Sequence, residues 1–246
     1  MLRKRNAAKT GAAALPRIVL VDANVFFSPR MRDLFMHLHQ AKVIHVHWTK
    51  AIEEEWARNV VVKQNADPAA IQACVMGMRD AAEGWEVAGY ERYVAQFDSV
   101  DEKDRHVAAA AFKLSLAIWP GRKVALVTKN FKDFPTQAFD GTEVTRYSMS
   151  HYLDMLLAET PDAVLAVAED CRRKLRSPKY TKELYVAALM KNGCTTLAET
   201  LAVSWNVECP VAAKDGTLTY ASETTADTLR KGSGRTKGNK ALPPAQ

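Results

Sequence analysis

With 246 residues, 48% of them hydrophobic, the chain can bury one full domain and a smaller appendage. Its net charge of +6 gathers at the two ends, "MLRKRNAAK" and the acid-free "RKGSGRTKGNK", and in "CRRKLRSPKYTK" at 171–182, which suits an anionic partner such as nucleic acid. Four dispersed cysteines (Cys74, Cys171, Cys194, Cys209) without a CxxC pair argue against a disulfide framework or a zinc knuckle. Pro16, Arg17 and Asp22 break the apolar stretch a signal peptide needs, and no run reaches a membrane span, so the reading is a cytoplasmic protein with no membrane role.

Residues 1–15 read as a flexible basic arm, and a domain follows over 16–149. It opens with "RIVLVDA" (17–23), a short apolar run ending in an acid, the pattern of a strand buried on both faces. Met31, Leu34, Phe35 and Leu38 then recur at helical spacing. "KVIHVHW" (42–48) alternates as a strand, and Thr49 caps the helix "KAIEEEWARNVV". A further helix is expected over 66–83, opened by "ADP". An Ala-rich helix is expected from about 102 to 118, then a strand "KVALVT" (123–128), a loop "NFKDFP" and a last strand "TEVTRYS". Strand–helix alternation of this kind predicts an α/β domain with a parallel sheet.

Beyond residue 149 the pattern is purely helical, a C-terminal extension over 150–206. Thr160-Pro161-Asp162 marks a helix start, Thr196 with Glu199 has the form of a capping box, and Gly193 separates two helices. Residues 207–246 show no apolar period and are expected to be a disordered basic tail.

In a parallel α/β sheet, ligands bind at the carboxyl ends of the strands. Asp22 ends the first strand and Asp133 lies in the loop after "VALVT". Glu53, Glu54 and Glu55 open the helix after the second strand, and Asp101 and Asp104 open the Ala-rich helix. Capping explains Asp101, whose side chain can accept from the amide of Asp104 or a neighbour, while Asp104 is left to project toward Asp22. Four segments thus deliver acids to one sheet edge. Gathered carboxylates either take up protons or bind a cation, and all-oxygen donors suit Mg²⁺ or Mn²⁺. Such a centre serves phosphodiester hydrolysis.

Two bland readings and two rival functions belong beside this one. His37, His39, His45 and His47 lack a third ligand at metal spacing and read as ordinary polar contacts. His106, turned from Asp104's face by helical geometry, reads as structural. A haloacid-dehalogenase-type phosphatase would need a second acid where Asn24 stands. A nucleic-acid-binding regulator using helices at 177–205 would need basic residues that "TTLAETLAV" does not have.

"VDANVFF", "WTKAIEEEW", "DEKDRHVAAAA" and "VTKNFKDFP" resemble, in order and spacing, the motifs of PIN-domain ribonucleases, above all the VapC-type toxins of bacterial toxin–antitoxin systems. The resemblance covers about 17–148, and the helical segment after it also looks like the extension of some such toxins. It implies a PIN-like three-layer α/β/α domain with endoribonuclease activity, RNA as substrate, a cognate antitoxin as partner and dimerisation of the toxin. It implies Asp22, Glu55 and Asp104 as metal ligands and Asp133 as a fourth acid, placing a second metal or the attacking water. Asn24 and Thr128 would support the site by hydrogen bonding. Asn130 departs from the family's common aspartate in a "TxD" pattern, so a second metal there depends on Asp133.

Overall fold

The computed structural model describes residues 17–175, 178–213, 215 and 217–220. The arm at 1–15 and the tail beyond 220 lie outside the described residues. Four apolar runs form a single sheet: β1 (Ile18–Val21), β2 (His45–His47), β3 (Val124–Val127) and β4 (Val144–Tyr147). The strand order is β2-β1-β3-β4, parallel throughout, as the alternation predicted. Every residue of β1 and β3 is buried, which is why both read as unbroken apolar runs. β4, an edge strand, carries Thr145 and Arg146 on partly exposed positions.

The helices of the domain are α1 (Ala23–Phe26), α2 (Pro29–Gln40), α3 (Lys50–Gln64), α4 (Pro68–Ala81) and α5 (Arg105–Lys113). Local chemistry sets their starts. Ser28, Thr49 and Asp67 each accept a first-turn amide, and Pro29 and Pro68 follow two of these caps. The α2 residues with helical spacing, Met31, Leu34, Phe35 and Leu38, are all buried. The Ala-rich segment is not the single helix the pattern predicts. A 3₁₀ turn, Glu102–Asp104, precedes α5, and Leu114–Ile118 continues it as π-helix, closed by the Trp119 amide on the Leu114 carbonyl at 2.7 Å. Ala108 to Ala111 are fully buried, short enough to let α5 lie close on the sheet.

The extension comprises α6 (Met149–Glu159), α7 (Pro161–Lys174), α8 (Lys182–Lys191) and α9 (Thr195–Trp205). α7 and α8 pack on α2, so the extension shares the core of the domain. Gly193 takes φ 75° between α8 and α9, a left-handed turn that suits glycine. The Thr196–Glu199 capping box does not form. α9 starts two residues earlier than that box requires, after Cys194, which is buried and gives no side-chain cap. The expected disorder from 207 also needs correcting for its described part. β5 (Val211–Ala212) pairs antiparallel with β6 (Leu218–Thr219) against α8. Strands of two residues are too short to leave a period in the sequence.

Candidate functional site

The strand order creates a switch point. From β1 the chain goes to β2 on one side and returns to β3 on the other, so a crevice opens at the carboxyl ends of β1 and β3. Asp22 leaves β1 there, only 5% exposed, with its amide donating to the Val127 carbonyl at 3.0 Å. Thr128 leaves β3, fully buried, and its hydroxyl donates to Asp22 Oδ2 at 2.7 Å. The Asn24 side-chain amide donates to the same carboxylate oxygen and, at 3.1 Å, to Thr128 Oγ1. Asn24 Oδ1 accepts from the Lys129 amide at 2.9 Å. Asp22 is therefore held from two sides in one orientation.

Asp104 approaches from the start of α5. Asp101 caps the 3₁₀ turn, accepting from the Lys103 amide at 3.3 Å, and its own amide bonds the Asp133 carbonyl at 3.2 Å. Asp101 is exposed, whereas Asp104 is 9% exposed. The two amide protons of Asn130 divide between Asp133 Oδ2 (2.6 Å) and Asp104 Oδ2 (3.3 Å). An aspartate at 130 could not do this, because an ionised carboxylate only accepts. The Lys103 ammonium stands 3.2 Å from Asp133 and 4.0 Å from Asp104.

These contacts separate the acids electrically. Burial raises the Asp22 carboxyl above its ordinary range, Glu55's charge adds to this, and Thr128's hydrogen bond opposes it. Asp104 is pushed up to about 7, first by burial and then by the charge of Asp22. Asp133 is held low by Asn130's hydrogen bond and by Lys103. The crevice thus contains one firmly ionised, partly exposed acid and an inner pair that resists carrying two charges.

A cleft of about 390 Å³ adjoins this pair, lined by Glu54, Glu55, Arg58, Asn59, Lys103, Asp104 and His106. The three consecutive glutamates have separate fates. Glu53 is buried and turned away, bonded to Arg79 at 2.5 and 3.0 Å and to the Trp48 indole at 3.2 Å. Both Glu54 and Glu55 face the cleft, where the sequence favoured Glu55 alone, and Glu55 is the one whose charge acts on Asp22. Arg58 and Asn59 went unnoticed in the sequence, although they lie three and four residues after Glu55 and so share its helix face.

His106 also lines the cleft, contrary to the expectation that it turns away, and its charge reaches Asp22. The reason is local. Asp104 closes a 3₁₀ turn with φ −104° and ψ −5°, so regular α-helical spacing does not apply between it and His106. The other histidines take ordinary contacts: His39 Nδ1 accepts from the Val46 amide at 3.0 Å and His47 Nε2 from the Trp119 indole at 3.2 Å.

The donor set bears on a metal. Among the described residues no three His, Cys, Asp or Glu side chains lie close enough together to cage an ion, so the four-acid cup expected from the sequence is not closed. Like charges spread apart, and Lys103 supplies part of the compensating charge. What remains is an oxygen-donor pair, Asp22 and Asp104, whose charges act on each other. That pair fits Mg²⁺ or Mn²⁺, since Mg²⁺ commonly takes one or two carboxylates and keeps several waters.

A family model described as "VapC50 C-terminal domain" matches residues 151–203, which are the helices of the extension and not the crevice. The match points to the VapC-type toxins of toxin–antitoxin systems. Neither a curated protein nor a solved structure matches the chain. No helix among the described residues is long and apolar enough to cross a membrane.

Proposed function

We propose that the protein is a metal-dependent endoribonuclease, the toxin of a toxin–antitoxin pair, that hydrolyses single-stranded RNA at the crevice between β1 and β3. The observation that carries the reading is geometric: Asp22, held by Thr128 and Asn24 at the end of β1, and Asp104, bonded by Asn130 at the start of α5, bring two carboxylates to the switch point of the sheet. Asp22 and Asp104 hold Mg²⁺ or Mn²⁺, with Glu55 and Asp133 at its margin. When bound, such an ion neutralises charge growing on the phosphate and lowers the pKa of a water.

The chain's own groups do the rest. Thr128 and Asn24 fix Asp22, Asn130 keeps Asp104 and Asp133 in register, and Arg58 and Lys103 offer cations to an RNA backbone. The match in the extension supports the toxin assignment and, with it, an antitoxin as partner; a homodimer as the working form is what the motif resemblance implies.

The phosphatase alternative loses support from Asn24, a carboxamide that donates hydrogen bonds to Asp22 and Thr128 but is far too weak an acid to protonate a leaving group. To test the reading, total RNA is incubated with the protein in Mg²⁺, in Mn²⁺ and in chelator, and the cut ends are mapped. Cleavage should require the metal and vanish in Asp22→Asn with the fold intact. Undiminished cleavage in chelator, or a fully active Asp22→Asn, contradicts the assignment.

A further inference from the structure

The loop 129–135 is tied down along its length. The Lys129 amide bonds Asn24 and the Asn130 amide bonds Thr128, each at 2.9 Å. Arg146, reaching over from β4, donates to the carbonyls of Phe131 (3.2 Å) and Phe134 and to the Thr136 hydroxyl. Phe134 is fully buried as an anchor. Yet this rigid loop holds Phe131 out to solvent, 39% exposed. The other exposed large apolar side chains among the described residues are Val, Leu, Ile or Met, so Phe131 is the one aromatic among them.

Its surroundings say what it suits. The Arg146 guanidinium lies 5.1 Å from the ring centroid and backs the ring as a cation–π contact. Lys129 and Lys132, both exposed, flank it in sequence. Its neighbour Asn130 touches Asp104 and Asp133. A fixed aromatic face with cations on either side, one residue from acids, has the chemistry of a platform for a base whose phosphates run past lysines.

We infer that Phe131 is a base-stacking platform for single-stranded RNA, with Lys129 and Lys132 contacting the flanking phosphates, and that it feeds the strand to the crevice. The inference rests on the nuclease reading and adds its substrate contact. Stacking of this kind tolerates any base, because every base presents a π face, and it requires an unpaired strand. Arg146 acts here as a positioning residue, holding both the loop and the ring.

The test is equilibrium binding of labelled oligouridylate and oligoadenylate, singly and annealed as a duplex, followed by fluorescence anisotropy in chelator so that nothing is cut. Phe131→Ala should weaken single-strand binding about ten-fold or more, and Phe131→Trp should restore it. Duplex binding and the salt dependence should hardly move in either variant. Lys132→Ala should instead flatten the salt dependence by about one charge, for single strand and duplex alike. Wild-type affinity of Phe131→Ala for the single strands, or an equal loss on duplex, overturns the platform. If the wild type cuts RNA while Phe131→Ala binds normally, the platform alone falls. If the wild type neither binds nor cuts RNA, both readings fall.

Discussion

Asp104→Asn should leave the protein without cleavage activity and, in chelator at pH 8, more stable than the wild type. The carboxyl moves from an ordinary 3.8 to about 7 on folding, and at about 1.4 kcal/mol per pH unit this sets a ceiling of about 4 kcal/mol on the cost of ionised Asp104. The carboxylate opens onto the cleft, so solvent screening reduces the expected cost to about 1–2 kcal/mol. An uncharged amide keeps an oxygen for Asn130 and removes the repulsion from Asp22. In a domain of this size each kcal/mol is worth about 2–4 °C in Tm, so the variant should melt about 2–8 °C higher.

The sign of the pH dependence follows from the raised value. The folded wild type binds a proton more tightly than the unfolded chain, so this contribution to stability is whole below about 3.8 and is lost as pH rises through 7. The gap between variant and wild type should therefore close as pH falls toward 4, all other groups being common to both. Mg²⁺ should raise the Tm of the wild type and barely move the variant. A variant less stable than the wild type at pH 8, or a gap that ignores pH, would refute the view of Asp104 as a strained member of an acid pair.

Asp101→Asn should keep most activity and stability, because asparagine caps as well as aspartate, whereas Asp101→Ala should cost about 0.5–2 kcal/mol in chemical denaturation. Glu53→Ala should cost about 2–3 kcal/mol by stranding the buried Trp48 indole and freeing Arg79, while cleavage by the folded fraction persists; an inactive but stable variant would place Glu53 in the site after all. His47, driven down to about 4 by burial, stays neutral in the folded state while the unfolded chain takes up a proton near pH 6.5. Its contribution is present above about 6.5 and is lost as pH falls through 4, about 2 kcal/mol of it between pH 7 and pH 5. His47→Gln should flatten that slope in denaturant titrations at the two pH values.

The sheet was legible because its strands are buried on both faces and read as unbroken apolar runs between helix signals. Asp22, Asp104 and Asp133 were legible for a different reason, each lying just past a strand or at a helix start where an acid points along the sheet edge. What the sequence could not give was the phase of a side chain across an irregular turn. His106 was misplaced because 3₁₀ geometry intervenes after Asp101, and the Ala-rich run gave no sign of its π-helical end. Nor could spacing separate three adjacent glutamates, since the fate of Glu53 is decided by Arg79 and Trp48, and Arg79 lies on another helix. Phe131 escaped notice because an aromatic in a loop reads by default as core, and Arg146, which holds it outward, comes fifteen residues later.

The parallel order of the sheet has a consequence for how the protein is made. β1 is the second strand across, yet its partner β3 pairs Ile18 with Val124, and Thr128 reaches Asp22 across 106 residues of chain. α2 likewise waits for α7 and α8 to cover it. On a ribosome, which releases the chain from the N-terminus at about 5–20 residues per second, Asp22 emerges early and remains without Thr128 for several seconds. The acids meet only after β3 is threaded beside β1, and the apolar face of α2 stays open until α8 has followed. The order of synthesis thus keeps the crevice unbuilt in every nascent chain that stops short of β3.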